Sequence, residues 1–273
     1  RFVSLAGSYH GETLGALSVT DVAIFRDTYD ALLLANATVP TPDARLARDG
    51  RTPADIARDA ATALEAYLDA NHETVAALIV EPLVQGASGM VTYDASYLSR
   101  ARELCTHYGV HLIADEIMTG FGRTGTMFAC EQAGIAPDLM LLSKGITGGF
   151  LPLACVLASD AIYDAFYDDD TARGFLHSHS YTGNPLACRA ALAVLDIFRD
   201  DEVIAANRAR ALRWRALLAP VAAHRAVRHF RQCGMIFAFE VETARTDFAQ
   251  WWFREALERE LLVRPMGRTV YFM

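Results

Sequence analysis

One lysine, Lys144, stands among 25 basic residues, and the other 24 are arginine. A desolvated lysine amine can lose its proton and condense with a carbonyl, whereas a guanidinium stays charged and forms no Schiff base. A sequence that uses arginine everywhere else has reason to keep lysine only where arginine fails. Lys144 follows the apolar run "DLMLLS" (138–143) and precedes Gly145, Gly148 and Gly149. Asp115 lies 29 positions earlier, directly after "VHLIA" (110–114), and Glu81 directly after "VAALIV" (75–80). A carboxylate opposite such a lysine is what a pyridoxal phosphate site needs, because it keeps the ring nitrogen protonated and lets the ring draw electrons from a substrate carbanion. A phosphate-loop role for Lys144 is excluded, since no G-x-x-x-x-G-K-[ST] precedes it.

These three side chains share a position in the pattern: each sits just past a short, unbroken apolar run. Such runs suggest strands buried on both faces, as in a parallel sheet, with ligands beyond the carboxyl ends. Between the first two runs, Ser96 is expected to cap a helix whose apolar face is Tyr97, Ala101, Leu104, Cys105 and Tyr108, with Gly109 as its stop. Asn184 and Pro185 open another helix through about Phe198, and Asp200 and Asp201 precede a helical stretch over 202–218. After Pro220 the pattern shifts to short strands around one helix: "GMIFAFEVE" (234–242), then the helix 247–260, then "LLVRP" (261–265) and "TVYFM" (269–273). Trp251, Trp252 and Phe253 read as core packing of that helix. The boundary falls near residue 200, giving a larger unit over 1–200 and a smaller one over 201–273.

Composition narrows the class. The chain is 52% hydrophobic and 21% charged with no apolar run near the length of a membrane span, so a membrane protein is not expected. Its net charge of −8, with arginines scattered, argues against nucleic acid as a partner. Five cysteines, with no Cys-x-x-Cys pair, fit a reducing, cytoplasmic setting better than a disulfide framework.

"LIADEIMTGFGRTG" (112–125), "SKGITGG" (143–149) and "HSYTGNPLAC" (179–188) resemble the central signatures of the class III pyridoxal-phosphate aminotransferases. "SYHGET" (8–13) and "IVEPLVQGASGM" (79–90) add two more in that family's order. The resemblance implies the α/β architecture of fold-type-I transferases: a mostly parallel large-domain sheet with helices on both faces, and a smaller C-terminal α+β domain. It implies a homodimer with active sites at the interface. It also implies roles: Lys144 as the Schiff-base lysine and proton carrier, Asp115 at the pyridine nitrogen, and Tyr9 and Ile117 against the ring, Tyr9 also touching substrate. His10 and Glu81 would shape the same pocket. Ser180, where relatives usually carry threonine, would reach the phosphate of the neighbouring subunit's cofactor.

"GALSV" (15–19), "FGRTGTMFACE" (121–131) and above all "LLVRPMGRTVYFM" (261–273) resemble the family members of biotin biosynthesis. That likeness implies S-adenosylmethionine as amino donor and 8-amino-7-oxononanoate as acceptor. Arg264 would receive a substrate carboxylate, Arg123 is a second recognition residue, and Gly145 would lie beside the substrate; a planar guanidinium binds carboxylate through two parallel hydrogen bonds. Another class III activity with an ω-amino acid or diamine donor, or a catalytically silent pyridoxal-binding relative, are the alternatives. His177 and His179 form an H-x-H pair without a third ligand, so no metal is expected. Both ends read as cut, and the glycine-serine segment with which relatives bind phosphate would precede Arg1. A protein with these boundaries is expected to hold the cofactor poorly.

Overall fold

A computed structural model describes all of residues 1–273. Strands β1 (Phe2–Leu5), β2 (Ala37–Val39), β3 (Ala77–Val80), β6 (His111–Asp115), β7 (Leu139–Leu142) and β8 (Cys155–Ala158) form a six-stranded sheet in the order β2-β1-β3-β6-β7-β8. All neighbours are parallel except β7 and β8. A two-stranded hairpin, β4 (Val84–Gln85) with β5 (Val91–Thr92), lies between β3 and β6 in sequence.

The three apolar runs read from the sequence are β3, β6 and β7. Alternation along the strands divides their side chains between two faces. Val3, Leu5, Leu78, Val80 and Leu112 join one large buried cluster with helices α1 (Pro53–Asn71) and α2 (Ser96–Tyr108). Helix α1 starts cleanly because Thr52 accepts from the Asp55 amide while the Asp55 carboxylate accepts from the Thr52 amide, and Pro53 fills the first turn. Its buried stripe, Ile56, Ala60, Leu64 and Leu68, repeats at helical spacing. On the opposite sheet face, Ala77, Ile79 and Ile113 form a smaller cluster with Val19.

Helix α2 ends at Gly109 in the left-handed conformation, as expected, but Ser96 is not its cap. Ser96 is the first helical residue, and the Asp94 side chain accepts from its amide instead. Aspartate, placed two residues upstream, takes the role because its carboxylate reaches the free N–H. Helix α3 (Pro185–Asp200) begins as expected, with the Asn184 side chain accepting from the Leu186 and Ala187 amides. Helix α4 (Val203–Leu217) follows almost at once.

The last third builds an antiparallel sheet in the order β11-β10-β9, from β9 (Val227–Cys233), β10 (Ile236–Val241) and β11 (Thr269–Phe272). Strand β10 serves two cores. Ile236 and Ala238 join the large cluster, whereas Phe239 packs with Val270, Val263 and Phe248 of helix α5 (Phe248–Leu257). Residues 261–265 are not a strand: Leu261 and Leu262 are exposed, Pro265 has no N–H to donate, and the sole pairing nearby is the Met266–Thr269 bridge. No helix is long and apolar enough to cross a membrane.

Candidate active site

Parallel pairing sets Val80 beside Ala114 and Asp115 beside Leu141, so the carboxyl ends of β3, β6 and β7 emerge together. There a cavity of about 370 Å³ is lined by Tyr9, His10, Glu81, Asp115, Ile117 and Lys144, among others. Six of the residues singled out in the sequence thus meet at one place. The volume lies within the usual range for small-molecule sites.

Asp115 is buried, and each of its oxygens has one partner. Its Oδ2 lies 2.8 Å from His10 Nδ1, and its Oδ1 accepts from the Ile117 amide at 3.1 Å. The His10 amide in turn donates to Thr20 Oγ1, while His10 Nε2 is buried without a partner. Two carboxylate bonds and a locked imidazole hold this acid in one orientation.

Glu81 ties two distant backbone segments together. Its Oε1 accepts from the Tyr9 amide at 3.0 Å and its Oε2 from the Gly86 amide at 2.9 Å. Burial pushes the Glu81 carboxyl up to about 7, with Asp115 adding to the rise while His10 and the two amides oppose it. The Tyr9 hydroxyl donates to Glu12 at 3.0 Å, and burial together with that carboxylate raises its pKa.

Lys144 opens a short 3-10 turn, Lys144–Thr147, with φ of 47°, in the left-handed region that non-glycine residues seldom enter. Such backbone strain tends to sit at functional positions. Gly145 is required for a different reason: a Cβ there would come within 2.9 Å of the Phe121 ring.

A second cavity, about 610 Å³, adjoins the first and shares Ile117, Met118, Lys144 and Met273 with it. Its walls include Phe121, Val194, Phe198 and Trp214, with Arg123 and Gly145 among them. Lys144 therefore stands where the two chambers meet. The exposed Arg264 and Ser180 line neither cavity. His177 and His179 face a separate cleft with Ser143 and Thr182, and no grouping of three His, Cys, Asp or Glu side chains could hold a metal ion.

Several participants escaped the sequence reading. Gly86 follows Glu81 closely enough that its amide could have been suspected, and a Cβ there would meet Met118 at 3.2 Å. Thr20, Tyr271 and Met273 carry no local signal, because they arrive through tertiary packing.

The sheet order, the buried acid and the strand-end lysine together define the fold-type-I pyridoxal-phosphate-dependent transferase architecture, as does the likeness to solved transaminases. An omega transaminase from Pseudomonas jessenii in complex with PMP superposes with a TM-score of 0.92 at 29% identity, covering 100% of this chain and 62% of that one. The adenosylmethionine-8-amino-7-oxononanoate aminotransferase of Methanocaldococcus jannaschii gives 0.88 at 29% identity, with 100% and 62% covered. The family model for class-III aminotransferases matches residues 1–273, and the chain belongs to that family. Among curated relatives, the adenosylmethionine-8-amino-7-oxononanoate aminotransferase of Helicobacter pylori is 46% identical over 100% of this chain and 62% of its own length. The protein of the same name from Geobacter sulfurreducens is 40% identical over 99% and 62%. The chain thus spans 62% of the length of these relatives.

Proposed function

We propose that the chain carries the chemical centre of a pyridoxal-phosphate-dependent aminotransferase that moves an amino group from S-adenosylmethionine to 8-amino-7-oxononanoate. The observation that carries this reading is the buried Asp115 carboxylate, oriented by His10 and the Ile117 amide, on the wall of the same cavity as the one lysine. The residues fit the cofactor's ring. Asp115 offers the carboxylate that a protonated ring nitrogen needs, and Tyr9 and Ile117 offer its flanking walls. When bound, pyridoxal phosphate supplies an electron sink for the carbanion formed at the donor's α-carbon.

The protein's own tasks follow. Lys144 Nζ anchors the cofactor, takes the proton from the donor's α-carbon and later returns one to the acceptor carbon. The neighbouring apolar cavity receives the substrate chain, and the guanidinium groups of Arg123 and Arg264 receive carboxylate. Ser180 serves the cofactor phosphate of a second subunit in a homodimer; its exposure away from the Lys144 cavity supports that assignment. Five free cysteines support a cytoplasmic setting. A division into a larger unit over 1–200 and a smaller one over 201–273 is supported by the separation of the six-stranded sheet from the three-stranded one.

Borohydride reduction followed by peptide mapping tests the centre: the cofactor should remain covalently on Lys144, and an unlabelled Lys144 would sink the reading. Initial rates with both substrates should give parallel double-reciprocal lines. An ω-amino acid or diamine donor is the second reading, favoured by the 0.92 superposition on an omega transaminase. Single-turnover assays with S-adenosylmethionine, lysine and simple amines separate the two, because only the true donor bleaches the lysine-bound cofactor absorbance rapidly.

A further inference from the structure

The loop that carries Arg123 is gripped from both sides. Beneath it, Phe121 rests on Gly145, the residue after Lys144. Above it lies the two-residue turn between β9 and β10, Gly234 and Met235. The Met235 amide donates to the Arg123 carbonyl at 2.9 Å. A Cβ on Gly234 would fall 2.6 Å from the Arg123 carbonyl oxygen, and nearer still to the Thr124 carbonyl carbon and the Gly125 nitrogen. These are backbone atoms, which cannot rotate aside as a flexible side chain would. Gly234 also has φ of 56°, the left-handed region. Helix α4 adds a third hold, with Arg208 Nε donating to the Gly125 carbonyl at 2.7 Å.

We propose that Gly234 is a positioning residue for substrate recognition: its missing side chain lets the β9–β10 turn dock on the Arg123–Gly125 backbone and fixes where the Arg123 guanidinium enters the apolar cavity. This rests on the reading of Arg123 as a carboxylate-binding residue. The smaller sheet thereby sets the affinity for a carboxylate-bearing substrate through Arg123, and its Met235 lines the same cavity. Lys144, Asp115, His10 and Glu81 make none of these contacts, so displacing the turn is expected to spare the chemical centre.

The test is Gly234→Ala in the holoenzyme, read beside Arg123→Ala and the double variant. KM for 8-amino-7-oxononanoate should rise about 10- to 100-fold in Gly234→Ala, the scale expected when a binding group moves by about 1 Å. Saturated kcat and the absorbance of the lysine-bound cofactor should hold. The double variant should be no worse than Arg123→Ala alone, because both remove one interaction. A normal KM in Gly234→Ala alongside a raised one in Arg123→Ala overturns the positioning role alone. A normal KM in Arg123→Ala overturns the reading of Arg123 itself. Loss of kcat and cofactor absorbance together in Gly234→Ala would make the residue merely structural and overturn the proposal. Should Gly234→Ala fail to fold, the unsubstituted holoenzyme decides: amide exchange at Met235 should slow with 8-amino-7-oxononanoate and not with its methyl ester. Equal exchange with both overturns the proposal.

Discussion

Two regions of this molecule handle polar and apolar surface in opposite ways. Around Asp115 nearly every hydrogen-bonding atom has its partner inside the chain: Glu81 holds the Tyr9 and Gly86 amides, and Asp115 holds His10 and the Ile117 amide. The arm over 159–181, beyond edge strand β8, does the reverse, leaving Leu176 86% exposed, with Phe175 and Tyr181 also open to solvent. A self-satisfied cradle fixes one geometry before any ligand arrives, which is how polar groups act without reorganisation. An apolar arm of this kind gains from being covered, and contiguous exposed apolar surface is the usual mark of an interaction face. The contrast separates the proposed chemical centre, whose side chains all come from this chain, from what the proposed dimer supplies.

The strongest way to break the comparison is at the cradle's reactive end. Lys144→Ala should lower kcat by about 10⁴-fold or more, measured in single turnovers, since Lys144 is the proposed anchor and proton carrier. Lys144→Arg should do no better, because the guanidinium keeps its proton. A substantial residual rate in either would move the chemistry elsewhere.

The Glu81 carboxyl gives a pH signature next in size. Its folded value near 7 stands above the ordinary 4.5, so the stability it contributes is fully present below pH 4.5 and is lost as pH rises through about 7. The full change is about 3 kcal/mol. Urea unfolding across pH 4 to 8 should show the unsubstituted chain losing stability relative to Glu81→Gln as pH climbs. Glutamine offers one acceptor oxygen for two amides, so the variant should start lower at acid pH. Parallel curves would show that the buried carboxyl does not titrate in this range.

Asp115→Asn should cost about 10- to 100-fold in kcat, the worth of a hydrogen bond to a charged group. The pH-rate profile should move with it, and an unchanged profile would detach Asp115 from the ring nitrogen. The arm yields the smallest effect. Ser180→Ala should weaken cofactor binding by about 10-fold by equilibrium dialysis, while Ser180→Thr should restore it. A change that stays the same from dilute to concentrated protein would argue against a role across two subunits.

The parts legible in the sequence were those governed by local rules. Strands β3, β6 and β7 showed as unbroken apolar runs, the start of α3 was spelled out by Asn184 and Pro185, and Gly109 announced the end of α2. Strand β9 was hidden because His229 takes a positive φ and the register shifts between Ala238 and Glu240 of its partner, which destroys strict alternation. Residues 261–265 misled in the other direction, with β-forming side chains but no neighbour to pair with. At the site, strand ends foretold Glu81, Asp115 and Lys144. The Gly234 contact was invisible, because a close approach between residues more than 100 positions apart leaves no local pattern.

Those separations also bear on how the molecule comes to exist. Tyr9 meets Glu81 across 72 residues and His10 meets Asp115 across 105, so the pocket is knit from non-local contacts whose closure entropy is paid before they reward it. Its assembly is therefore expected late in folding, after β1, β3 and β6 have aligned. A lesion that slows strand alignment anywhere in that trio would delay the appearance of a competent pocket more than the appearance of helical signal. Stopped-flow refolding would then show secondary structure returning well ahead of the capacity to capture the cofactor.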